Sequence, residues 1–217
     1  MELNRAWLLK MFVLFLAGFV WALTPTISVR AEPADNEALI NVALMGDVKT
    51  VQALLEKGAD VNHQSKDGFT ALSWASRVGG AAVVQILLEN GAQVDLQDKD
   101  GWTALMMASR EGHAAVVQAL VEKGANVDLQ MKDGVTALMT ASQKGHKAIV
   151  RMLLAHGADL NIQNNNGNTA LALTKTQAIA QLLKEAETSS VRAEPGDNEA
   201  LINAAFEGDV KTCLVFS

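Results

Sequence analysis

Residues 100–132 read DGWTALMMASREGHAAVVQALVEKGANVDLQMK, and the architecture follows from this stretch. Asp100-Gly101 opens it as a turn, because glycine enters positive φ without the cost that a Cβ imposes. Thr103 stands where a helix N-cap is needed. Residues 104–110 predict a short helix with Leu105 and Ala108 three apart on one face, and Gly112 breaks it. Residues 114–122 predict a second helix, with Val117, Leu120 and Val121 at helical spacing. Gly124 falls at the C′ position and ends it. Val127-Asp128-Leu129 reads as an extended segment leading to the next turn. Neither helix is long enough to hold alone in water, so the unit must bury its apolar faces against something like itself.

Copies stand on both sides of it. Residues 67–99 share 23 of 33 positions with 100–132 without a gap, and residues 133–165 continue in phase. Residues 34–66 fit the same frame, with Asp35-Asn36-Glu37-Ala38-Leu39 at the turn and helix start. Residues 166–187 begin NGNTALAL and then lose three positions, as a C-terminal cap would. A period of 33 in stacked turn–helix–loop–helix units predicts an all-α solenoid in which each unit contacts only its neighbours.

The matching residues resemble the ankyrin repeat family. They are Asp-Gly-x-Thr-x-Leu at 67–72, 100–105 and 133–138, Gly-His at Gly112-His113 and Gly145-His146, and Leu-Leu at Leu87-Leu88 and Leu153-Leu154. Gly-Ala-x-Val/Leu-Asp/Asn recurs at 58–62, 91–95, 124–128 and 157–161. The resemblance covers residues 34–187. It departs from the family's T-P-L-H: Ala71, Ala104 and Ala137 replace the Pro, and Ser73, Met106 and Met139 replace the His. Those changes forgo a hydrogen bond between repeats but keep the core apolar. Gly80 replaces the loop His in one unit. The resemblance implies an ankyrin-repeat solenoid of helix–turn–helix units joined by β-turn fingers.

The two ends stand apart from the array. Residues 1–31 read as a signal peptide. Arg5 and Lys10 make a positive start, residues 11–23 (MFVLFLAGFVWAL) are uncharged, and Val29 and Ala31 suit a peptidase cut before Glu32. Thirteen residues are too few to span a bilayer, which takes ~20. The alternative is an uncleaved anchor over residues 6–29 with Lys10 snorkelling to the interface. The expected location is periplasmic or secreted, and membrane association is expected only if the segment is retained. Residues 188–217 read as a polar linker followed by a second start of the array. Residues 190–212 share 19 of 23 positions with residues 28–50. The pattern fails after Thr212, which predicts a truncated copy of the first repeat or a short docked helix.

Composition narrows the function. A formal charge of −6 provides no basic footprint, so nucleic acid is not an expected partner. A single Cys, Cys213, excludes an intramolecular disulfide framework. His63, His113, His146 and His156 have no zinc spacing, and His113 and His146 hold the same loop position one unit apart. No G-x-S-x-G elbow or G-x-x-x-x-G-K phosphate loop occurs. Ser73, Ser76, Ser109 and Ser142 are repeat positions, and Asp98 and Asp100 belong to a solvated turn. Met106, Met107 and Met139 suit helix packing, and Met131 belongs to a turn. Trp74, inside a first helix, is expected in the core. No catalytic, cofactor or metal residue is expected.

What remains is binding. The resemblance implies a non-enzymatic scaffold that meets a protein partner through turn tips and first helices. By position, the tips are Lys66, Asp67 and Phe69; Lys99, Asp100 and Trp102; Lys132, Asp133 and Val135; and Asn165, Asn166 and Asn168. The first helices add Arg77, Arg110, Glu111, Gln143 and Lys144. Phe69 and Trp102 are aromatic rings at tips that are otherwise charged, as interface anchors would be. Two other functions fit the sequence: an accessory or protective subunit of an exported enzyme, and a fragment of a longer ankyrin-containing enzyme.

Overall fold

A computed structural model describes residues 33–192, and the signal-like segment and the second copy of the first repeat lie outside the described residues. Those residues form ten helices and no strand. In chain order they are α1 Pro33–Met45, α2 Val48–Glu56, α3 Ala71–Val78, α4 Ala81–Glu89, α5 Ala104–Glu111, α6 Ala114–Glu122, α7 Ala137–Lys144, α8 Lys147–Ala155, α9 Ala170–Leu173 and α10 Gln177–Arg192. Each pair is one unit. The first helices α1, α3, α5, α7 and α9 stack as one layer, and the second helices α2, α4, α6, α8 and α10 stack as the other.

Local chemistry sets the helix ends. Thr70, Thr103, Thr136 and Thr169 cap the first helices, each hydroxyl accepting from a backbone N–H three residues on. Ser73, in place of the family's His, closes a capping box with Thr70. Gly79, Gly112 and Gly145 end α3, α5 and α7 in the left-handed region. Asp47 caps α2, and donation from the Thr50 hydroxyl and backbone N–H holds its carboxyl below the usual carboxylate range.

The core is one apolar cluster running the length of the stack. Leu72, Leu87, Leu105, Leu120, Leu138 and Leu153 are fully buried, together with Met106 and Met139. Helices of eight or nine residues hold because each buries its neighbour's face.

Polar bonds lock the register between units. The fingers are tied by backbone bonds Lys99 N–H to Asp67 C=O (3.0 Å), Lys132 to Asp100 (3.0 Å) and Asn165 to Asp133 (2.8 Å). A Cβ on Gly101, at φ 89°, would lie 2.8 Å from the Met131 Cα, so the close approach of the next finger requires glycine there. Gln64, Gln97 and Gln130 each donate to a carbonyl in their own finger and to the next Gln carbonyl along the stack. His113 and His146 reach back to the Arg77 and Arg110 carbonyls at 3.0 Å, the structural role expected of that loop position.

Three expectations are corrected. Val127 and Asp128 form a turn rather than an extended segment, with Val127 buried under the finger. Helix α10 runs through Thr188 to Arg192, over ground expected to be linker. Trp74 is half-buried at the edge of the core, where its ring meets Phe69 and Arg77.

Candidate functional site

The first helices and the fingers that precede them share one side of the stack. On that side, between the unit 100–132 and the units after it, lies an open depression of about 370 Å³. Its apolar lining is Trp102, Met131, Val135, Met139 and Leu173. Arg110, Gln143 and Lys144 reach it from α5 and α7, Asp133 from a finger, and Asn164, Asn166 and Asn168 from the next finger.

Local structure explains how these groups converge. Asp98 accepts from the backbone N–H groups of Asp100 and Trp102, which fixes the tip and aims the Trp102 ring toward α5. The Arg110 guanidinium then lies over that ring, 5.3 Å from its centroid. Asn164 repeats the arrangement by accepting from Asn166 and Asn168. Asp98 is therefore a turn-former rather than a freely solvated acid, and it is half-buried.

Of the residues singled out from the sequence as binding positions, Trp102, Arg110, Asp133, Val135, Gln143, Lys144, Asn166 and Asn168 come together around the depression. Lys66, Asp67, Arg77, Lys99, Asp100, Glu111 and Lys132 are exposed but do not line it. Lys99 pairs with Asp67 of the preceding finger at 3.7 Å, and Arg110 with Glu111 at 3.7 Å. Phe69 and Trp102 are both half-buried, but the Phe69 ring packs on Trp74, with centroids 5.0 Å apart, whereas Trp102 lines the depression beneath Arg110. Met131, Met139, Thr140, Asn164 and Leu173 also line the depression and were not anticipated there. Their signal was available only as position: Asn164 is in phase with Asp98 and Met131, 66 and 33 residues back.

The arrangement is a shallow apolar floor with charged and amide walls, suited to holding a side chain presented by another protein. Among the described residues no group of three or more His, Cys, Asp or Glu is placed to hold a metal ion. No helix among them is long and apolar enough to cross a membrane.

A family model of ankyrin repeats in three copies matches residues 16–98, 79–164 and 124–188. The chain belongs to the ankyrin-repeat family. No curated protein matches it. Ankyrin repeats are in general non-catalytic modules of protein–protein interaction, and the chain carries such a module.

Proposed function

We propose that this ankyrin-repeat protein is an exported, non-enzymatic scaffold that captures a protein partner on the side formed by its fingers and first helices. The observation that carries the reading is the convergence of Trp102, Arg110, Val135 and Lys144 on one depression open to solvent. Open apolar floors ringed by polar groups are where interface anchors seat. Residues 1–31 support export, through their positive start, uncharged run and small residues before Glu32.

Site-specific photo-crosslinking in the expressing cell tests the binding face. A crosslinker at Asn166 or Gln143, both exposed at the depression, should yield a discrete protein adduct. One at Gln85, exposed on the second-helix layer, should not. Trp102→Ala should abolish the adduct with the melting temperature nearly unchanged. Adducts from Gln85 alone would move the binding face to the other layer. Intact mass of the secreted protein should correspond to a chain beginning at Glu32, whereas a chain beginning at Met1 in the membrane fraction would indicate an anchor.

A further inference from the structure

The chemistry of the groove narrows its partner. Resting on the binding face proposed above, we infer that the occupant is an acidic, extended segment of another protein. It sets a large apolar side chain on Trp102 and Val135 and lays carboxylates along Arg77, Arg110 and Lys144.

Charge placement carries the argument. The last turns of α3, α5 and α7 each hold a cation, namely Arg77, Arg110 and Lys144, and all three are exposed. The only acid in these three helices is Glu111. The chain as a whole carries −6, so this row has the opposite sign to its surroundings. The second helices differ: α2, α4 and α6 each end on an acid, Glu56, Glu89 or Glu122, and Lys57 and Lys123 follow at the caps of α2 and α6, so both signs meet there. A row of exposed cations accompanied by a single acid is therefore a feature of the helices α3, α5 and α7, on the side that faces the groove.

Their geometry suits carboxylate capture. Arg77 lies 4.8 Å from the centre of the Trp74 ring and Arg110 lies 5.3 Å from that of Trp102. Stacking engages the flat face of a guanidinium and leaves its edge, where the N–H fork points, free to meet a planar anion. Glu111 meets Arg110 at Nε, at a long 3.7 Å, and both side chains are exposed. Among the described residues, no ion pair forms to Arg77 or Lys144. Restraint by the indoles lowers the entropy lost when a carboxylate binds, which makes these arginines better hosts than free side chains.

The opposite wall sets the register. The fingers carry Lys and Asp in alternation, and the Lys99–Asp67 pair neutralises one rung. Asp133 lines the depression on that side. At the depression a partner's carboxylates are therefore repelled by Asp133 and drawn to Arg110 and Lys144, while its apolar side chain drops between these walls into the 370 Å³ depression.

Selection of a random peptide library, displayed on phage, against the full-length chain tests this. The expected peptides carry two or more Asp or Glu beside an aromatic or Leu residue. They should bind about tenfold more weakly to Arg110→Gln, and affinity should fall as salt rises. Peptides that need Trp102 but show no acidic bias, and that bind Arg77→Gln and Arg110→Gln as well as the parent, would overturn the inference while leaving the groove in place. Absence of binders, or binders insensitive to Trp102→Ala, would overturn the groove and this inference with it. Should Arg110→Gln melt early, Arg77→Gln and Lys144→Gln carry the same comparison, since neither side chain packs in the core.

Discussion

Ser76, Ser109 and Ser142 hold one position in three successive units, in the second turn of the first helices α3, α5 and α7. All three are completely buried, and their hydroxyls find no hydrogen-bond partner among the protein's atoms. A helical serine commonly bonds back to the carbonyl one turn earlier; these three do not. Leaving a buried hydroxyl unpaired costs about 1–3 kcal/mol. Ser109→Ala removes that cost and adds a few tenths of a kcal/mol in helix propensity, roughly 0.5. Against this stands a gap the size of one oxygen atom, on the order of 15 Å³, which at ~24 cal/mol per Å³ costs roughly 0.4 kcal/mol. The net gain is at least about 1 kcal/mol per site, and at least about 3 kcal/mol for the triple variant if the three sites act independently. The midpoint of urea unfolding should rise with an unchanged m-value, and each site should add about 2–4 °C to the melting temperature. A loss of 1 kcal/mol or more for Ser109→Ala would refute the reasoning. It would mean that the hydroxyl is engaged, for instance by a buried water that the alanine strands.

The remaining predictions concern the core, a finger and a cap. Leu120→Ala and Leu153→Ala, both at fully buried positions, should each cost ~2–5 kcal/mol in denaturant unfolding. Gly101→Ala should cost about 1–3 kcal/mol by the same measurement, because its positive φ and the 2.8 Å approach to the Met131 Cα both resist a side chain. The Asp47 carboxyl is depressed by its bond from the Thr50 hydroxyl, so the stability it contributes is present above the unfolded pKa and lost as pH falls through the lower, folded value. NMR titration of that carboxyl should show the depression directly. Asp47→Asn should flatten the acid limb of the stability profile, and an unchanged limb would remove Asp47 from it.

The solenoid was legible because its signals are periodic and local. Threonines at N-caps, glycines at positive φ and leucines at helical spacing recur every 33 residues, and each acts within its own unit. The misread segment, Val127-Asp128-Leu129, shows the limit of that kind of reading. Its apolar alternation reflects two side chains turned toward the core, Val127 buried and Leu129 half-buried, while the finger forms only one backbone bond to its neighbour, Lys132 to Asp100. A single bond per tip makes a turn rather than a strand. Period also hid the polar ladder: Gln64, Gln97 and Gln130 recur visibly, but a loop glutamine carries no mark that it bridges two carbonyls.

The groove was legible as a side of the molecule and not as a site. Phe69 and Trp102 are equivalent by position, 33 residues apart, and the sequence offers no reason to separate them. What separates them is the residue five places further on. After Phe69 it is Trp74, whose ring takes up the Phe69 face. After Trp102 it is Met107, almost wholly buried in the core, which leaves the Trp102 ring to Arg110 and the depression. In a repeat protein, the shared positions set where each side chain stands, and the departures from the repeat decide which of them remain available to a partner. The binding chemistry proposed for the groove is therefore concentrated where the units differ, at Trp74 against Met107 and at Gln143-Lys144 against Arg110-Glu111.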